Sequence, residues 1–202
     1  MIPLETDKHY HIFNRANGNE TIFLGEDNYL FFLNKYIKHI SPICDTFCYC
    51  LMPNHFHFLI RIKNEIEIEQ LENFKNTKNT CGFLSKQFSN LFSSYTQAFN
   101  KQQGRKGSLF MRPFKRKEIN SETYFRNLVY YIHLNPVEAG FCDNPKDWKY
   151  SSFNALITEK PTFLIQTEVL NYFDDLENFM YVHSHSSNNN FDKVPNVVKD
   201  ED

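Results

Sequence analysis

Two histidines stand one residue apart in the apolar run LMPNHFHFLI, residues 51–60. On a strand, side chains at i and i+2 point to the same face. His55 and His57 would then present two imidazoles side by side while Phe56 packs behind them. Two imidazoles on one rigid strand make half of a divalent-metal site. The competing reading is a polar pair on a solvated strand face. A second pair lies in YYIHLNP, 130–136. Tyr131 and Asn135 are i and i+4, so on a helix they share a face. A phenol beside a carboxamide can be a nucleophile and a hard oxygen ligand, or merely an aromatic core position before a helix-ending Asn-Pro. The third feature is KQQGRKGSLFMRPFKRK, 101–117, with seven basic residues (Lys101, Arg105, Lys106, Arg112, Lys115, Arg116, Lys117) and no acid. Basic side chains neutralise phosphates, and the interleaved Phe110 and Phe114 offer stacking faces for unpaired bases. A solvated charged loop is the alternative. Trp148 and Tyr150 read equally as packing or DNA-contacting residues.

The elements that would position these residues can be read from periodicity. Tyr10 to Asn14 is a short strand, followed by a turn signal at Asn17-Gly18. From Glu26 to His39, apolar residues at Leu30, Leu33, Ile37 and nearby positions follow helical spacing. Two runs rich in aromatic and β-branched residues flank Pro53-Asn54 and read as a β-hairpin. Residues 64–82 are polar and irregular, an extended loop or a poorly formed helix. Residues 83–100 carry apolar side chains at 84, 88, 91, 92, 95 and 99, an amphipathic helix. The segment GSLFMRPFKRKEI reads as another extended or hairpin segment. Asn120 or Ser121 then caps a helix from Glu122 to about Leu134. The first six elements spell β-α-β-β-α-β, a ferredoxin-like α+β arrangement with an antiparallel sheet and helices on one face, followed by a further helix bearing Tyr131.

Composition narrows the function classes. There is no run of about 18 apolar residues, so no membrane-spanning helix is expected. The N-terminus MIPLETDKHYHIF does not read as an export signal. Five cysteines without such a signal read as reduced thiols of a cytosolic protein. Cys44, Cys48 and Cys50 do not have zinc-site spacing and read as small buried strand residues. The net charge of −2 hides an asymmetry: residues 159–202 hold nine acidic and three basic residues, leaving 15 acidic and 19 basic in residues 1–158. A basic working domain over 1–158, an extension over 159–183 and a disordered polar tail over 184–202 are expected. His183 and His185 repeat the H-x-H spacing at the edge of that tail and are assigned no role.

Taken in order, H-x-H after MPNH, a basic G-x-L-F-x-R-x-F segment, Y-I-x-x-N-P-V-x-A-G and D-W-x-x-S-S resemble the single-tyrosine HUH transposases, in particular the REP-associated tyrosine transposases. The resemblance covers about Lys8 to Ala155. It implies a DNA transposase that cuts and rejoins single-stranded or hairpin DNA through a 5′-phosphotyrosine intermediate. It implies Tyr131 as nucleophile and His55, His57 and Asn135 as ligands of Mg²⁺ or Mn²⁺. Related transposases carry Gln at the position of Asn135. Arg105, Lys106, Arg112, Lys115, Arg116 and Lys117 would bind DNA. The protein would act as a monomer or homodimer in the bacterial cytoplasm, on the nucleoid when bound. The other readings are a non-catalytic ferredoxin-like nucleic-acid-binding protein and an HUH nuclease of replication or plasmid transfer. The first lacks the usual aromatic signature of RNA-binding sheets.

Overall fold

The computed structural model describes residues 2–74 and 79–185. Four strands, β1 (His9–Arg15), β2 (Cys44–Met52), β3 (His55–Ile62) and β4 (Lys115–Ile119), form one antiparallel sheet in the order β2-β3-β1-β4. This is the ferredoxin-like strand order expected from the β-α-β-β-α-β pattern. β2 and β3 form the expected hairpin, Met52 opposite His55 across the Pro53-Asn54 turn.

Helices α1 (Glu26–His39) and α3 (Thr80–Gln103) pack together behind the sheet. Tyr36 stacks on Phe58, and Phe32 meets Phe56, Phe58 and Tyr95. The buried stripe of α1 is therefore Tyr29, Phe32 and Tyr36. Leu30 and Ile37, whose spacing marks the helix in the sequence, are 51% and 41% exposed. The aromatic residues bury more area per position and win the core side. α3 starts at Thr80, capped by Asn79. Its buried stripe includes Leu84, Phe88, Leu91, Tyr95 and Phe99, as the periodicity requires. The polar stretch before it holds a short helix, α2 (Glu65–Glu69), closed by a capping box between Asn64 and Glu67. Residues 75–78 lie outside the described residues.

The opposite face is half covered. α4 (Glu122–Glu138) lies across β2 and β3. With helices on both sides, most positions of both strands are buried. The same burial pushes the Cys44 thiol up to about 12 and Cys48 and Cys50 well above the usual range, so all three are neutral packing groups. α4 does not stop near Leu134. It runs through Pro136, ending in a Schellman motif: Phe141 N–H donates to the Pro136 carbonyl, Gly140 N–H to Val137, and Gly140 takes φ +74°. Asn135 thus sits inside the helix.

The segment after α4 covers the open edge of β2, which would otherwise offer unpaired backbone groups. Leu51 N–H donates to the Tyr150 carbonyl, Ser152 N–H to Tyr49, and Ile165 N–H to Thr46. Trp148 Nε1 donates to the Leu51 carbonyl, and Tyr150 stacks on Tyr29 with centroids 3.5 Å apart. Both aromatic residues are packing elements. Helices α5 (Phe153–Leu156), α6 (Gln166–Asn171) and α7 (Leu176–Ser184) follow, and their Phe153, Val169 and Phe179 join the same core as the sheet.

His183, at the edge of the expected tail, is carried by a helix that runs on through Ser184. It lies on α7, buried at 4% exposure, and its imidazole meets His133 of α4 at 3.0 Å. The chain of bonds is complete: His183 Nδ1 donates to the Phe179 carbonyl, His133 Nδ1 to His183 Nε2, and the Ser152 hydroxyl to His133 Nε2. The apolar neighbours Phe153, Phe173 and Phe179 surround this pair, which sequence spacing alone cannot reveal. Residues 186–202 lie outside the described residues.

Burial lowers His183 to about 4 and holds His133 well below its ordinary value. Between pH 6.5 and 4 the unfolded chain binds the His183 proton and the folded chain does not. Stability is therefore full above pH 6.5 and declines as pH falls toward 4, by roughly 3 kcal/mol from this residue. Urea melts at pH 7.5 and 4.5 should show that decline, and His183→Leu should flatten it. A melt with the same pH dependence in both proteins would contradict this assignment.

Candidate active site on the open half of the sheet

α4 packs mainly on β2 and β3, with Phe125 reaching His9 of β1, and the same face of the sheet opens beside it from Phe13 to Arg15 and at Lys115. Odd-numbered residues of β1 and β3 point this way: Phe13 and Arg15 from β1, His55 and His57 from β3. Lys115, opposite Phe13 in the register, joins them from β4 and holds its Nζ 5.9 Å from the Phe13 ring centroid. α4 contributes Tyr131, Asn135, Glu138 and Ala139 from its facing side. Met111, Arg112 and Pro113 close the far wall, completing a cleft of about 430 Å³. That wall is tied to β1: Met111 N–H donates to the Arg15 carbonyl, Asn14 Nδ2 to the Met111 carbonyl, and Arg15 Nε to the Met111 sulfur.

The expected pairs do meet. His55 Nε2 lies 3.0 Å from Asn135 Oδ1, and His57 Nε2 lies 3.5 Å from Asn135 Nδ2. The Tyr131 ring stands edge-on to His57 with centroids 5.5 Å apart. Tyr131 is half-buried at the cleft, whereas Tyr130 is buried, packs against His183 and does not line the cleft. One turn of helix separates Tyr131 from Asn135, so α4 delivers both to the histidine strand together.

The donor set fits a cation. His55 Nδ1 is 2.8 Å from Asn54 Oδ1, so both of its ring nitrogens face amide oxygens. A neutral imidazole has one N–H and satisfies only one of them. With the proton on Nδ1, donated to Asn54, the Nε2 lone pair and the Asn135 oxygen beside it would both be available to a cation. Burial, followed by the neighbouring imidazoles, holds His57 well below its ordinary value, so it is a neutral potential ligand at pH 7. Among the described residues no three His, Cys, Asp or Glu side chains cluster to hold a metal. The side-chain oxygen that the structure sets beside His55 Nε2 is Asn135 Oδ1.

The basic segment splits. Arg112 and Lys115 are exposed and line the cleft, and Lys117 follows Lys115 on the same face at the level of His11. Lys106 is exposed on the loop after α3. Arg105 is held elsewhere, in an ion pair with Glu20 at 2.6 Å and a bond to Asn100. Arg116 points to the other face of the sheet, donates to the Ile2 carbonyl and stacks on Phe114. The interleaved aromatics are not stacking platforms: Phe110 is core, and Phe114 packs against Phe88 and Phe92. Phe13 is the half-exposed ring in the cleft. Phe13 and Arg15 were missed in the sequence; their signal is the period-two alternation of HYHIFNR beside a strand whose open face was not yet known.

No protein-family model matches the chain. A Haemophilus influenzae protein named as a REP-associated tyrosine transposase is 28% identical over 130 residues, 61% of this chain and 69% of the relative. The chain is thus similar in sequence to a REP-associated tyrosine transposase. A solved structure of a REP-associated tyrosine transposase bound to a REP hairpin has the same fold, with a TM-score of 0.61 and 15% identity, covering 80% of this chain and 87% of that one. The family that the motifs resemble is the one named for that relative.

Proposed function

We propose that the chain is a hairpin-associated tyrosine transposase that cuts and rejoins single-stranded DNA, with Tyr131 as nucleophile and His55, His57 and Asn135 as ligands of Mg²⁺ or Mn²⁺. The observation that carries this reading is the meeting of Tyr131 and Asn135 on α4 with His55 and His57 on β3, in one cleft whose rim holds Arg112 and Lys115. It is supported by the relative's name and by the hairpin bound to the solved structural neighbour.

A phosphodiester resists nucleophiles because it is anionic. When bound, a divalent cation would neutralise and orient that phosphate, and imidazole donors make Mn²⁺ as suitable as Mg²⁺. Tyr131 Oη attacks phosphorus, the P–O3′ bond breaks, and the phenolic proton leaves to solvent as O3′ gains one. The products are a 5′-phosphotyrosine and a free 3′-OH. Attack by a 3′-OH on the phosphotyrosine reverses the step, so no nucleotide cofactor is consumed. Arg112 and Lys115 hold the strand's phosphates, and the Phe13 face is available to an unpaired base. All four central residues come together within one chain, which is compatible with a protein that works as a monomer or as a homodimer. Such an enzyme acts in the bacterial cytoplasm, where the chromosome lies. No helix of the described residues is long and apolar enough to cross a membrane.

With Mn²⁺, a hairpin oligonucleotide bearing a single-stranded flank should release a 5′-labelled fragment ending in 3′-OH, and EDTA should stop the release. An intact strand in both conditions would refute the reading. Charge reversal separates the basic residues. Arg112→Glu and Lys115→Glu should weaken DNA binding across sequences and each lower the log–log salt slope by about 1. Arg105→Ala should leave that slope unchanged, because its guanidinium already serves Glu20 and Asn100.

A further inference from the structure

We infer that His11 is a positioning residue for the cation site, fixing the tautomer and aim of His57; this rests on the reading above that His57 is a ligand. His11 is fully buried on β1, where an apolar side chain would pack without cost in hydrogen bonds. Its Nε2 lies 2.9 Å from His57 Nδ1, and the two rings stack with centroids 5.1 Å apart. Phe13 closes the stack, its centroid 4.6 Å from His11 and 6.0 Å from His57. His57 is therefore held in one plane, with its Nε2 turned to the Asn135 amide.

An imidazole binds a cation through the nitrogen that lacks a proton, and the bond made by the other nitrogen decides which that is. For His57 to offer Nε2, its proton must sit on Nδ1 and be accepted by His11 Nε2. His11 then carries its own proton on Nδ1, an atom that is buried with no hydrogen-bond partner among the described residues. A buried donor left without an acceptor is unfavourable. The fold keeps that unfavourable group in a position where it orients His57. Without His11, Nδ1 of His57 would lose its acceptor, and a proton moved to Nε2 would block the nitrogen that lies beside Asn135.

The test compares His11→Leu with His11→Gln, whose amide restores an acceptor, using long-range ¹⁵N–¹H NMR of the imidazoles and Mn²⁺ titration by calorimetry. Wild type and His11→Gln should carry the His57 proton on Nδ1 and bind Mn²⁺ within about threefold of each other. His11→Leu should shift the proton to Nε2 and lose about 10- to 100-fold in Mn²⁺ affinity. Unchanged affinity in a folded His11→Leu protein, with His57→Gln abolishing binding, overturns the inference and leaves the ligand assignment intact. Unchanged affinity in His57→Gln removes the ligand assignment and the inference with it. Should His11→Leu fail to fold, a wild-type spectrum with the His57 proton on Nε2 still overturns the inference.

Discussion

Tyr131→Phe should abolish strand cleavage, by at least about a thousandfold, and eliminate any covalent protein–DNA species. The substitution removes one oxygen and leaves the ring that stands against His57, so the cleft keeps its shape. The melting temperature should stay within a few degrees of wild type. Tyr130→Phe is the control. Tyr130 is buried against His183 on the side of α4 away from the cleft, so its loss should leave cleavage near wild type. Parallel cleavage and melting curves for the two variants check this. Equal losses would mean that α4 was damaged, not that a nucleophile was removed.

Removing the cation or its ligands should have an effect almost as large. EDTA should bring cleavage to background, and Mn²⁺ should restore it. His55→Gln and His57→Gln should each lower Mn²⁺ affinity by well over tenfold, since each removes one of the three proposed protein donors. Asn135 offers a finer test. Asn135→Gln keeps a carbonyl oxygen, the group found at this position in related transposases, and should retain measurable cleavage. Asn135→Leu keeps the volume without the oxygen and should not. Mn²⁺ titration followed by cleavage at saturating metal separates lost affinity from lost chemistry. Full activity of Asn135→Leu would remove Asn135 from the site.

What could be read in the sequence was local. The period-two pattern of HFHFLI and the i, i+4 relation of Tyr131 and Asn135 were visible, because alternation and helical pitch act over a few residues. The strand–helix order was enough for the ferredoxin-like sheet. Long-range packing was not visible. Nothing in KQQGRKGSLFMRPFKRK says that alternation sends Arg116 and Lys115 to opposite faces, or that Phe110 and Phe114 are core. Leu30 and Ile37 look like a core stripe until Tyr29, Phe32 and Tyr36 are seen to fill the space behind the sheet. His183 looks like tail until α7 packs it on His133. His11 and Phe13 gain meaning only because α4 leaves half of the sheet uncovered.

The most direct measurement is to map the covalent adduct. The protein is incubated with Mn²⁺ and a 3′-labelled hairpin oligonucleotide, the labelled protein is isolated under denaturing conditions, and its tryptic peptides are sequenced by mass spectrometry. The expected result is a nucleotide attached through a 5′-phosphate to Tyr131, within the peptide spanning residues 127–146, and to no other residue. An adduct on Tyr130 or elsewhere, or cleavage without any adduct, would contradict the assignment of Tyr131 as the nucleophile.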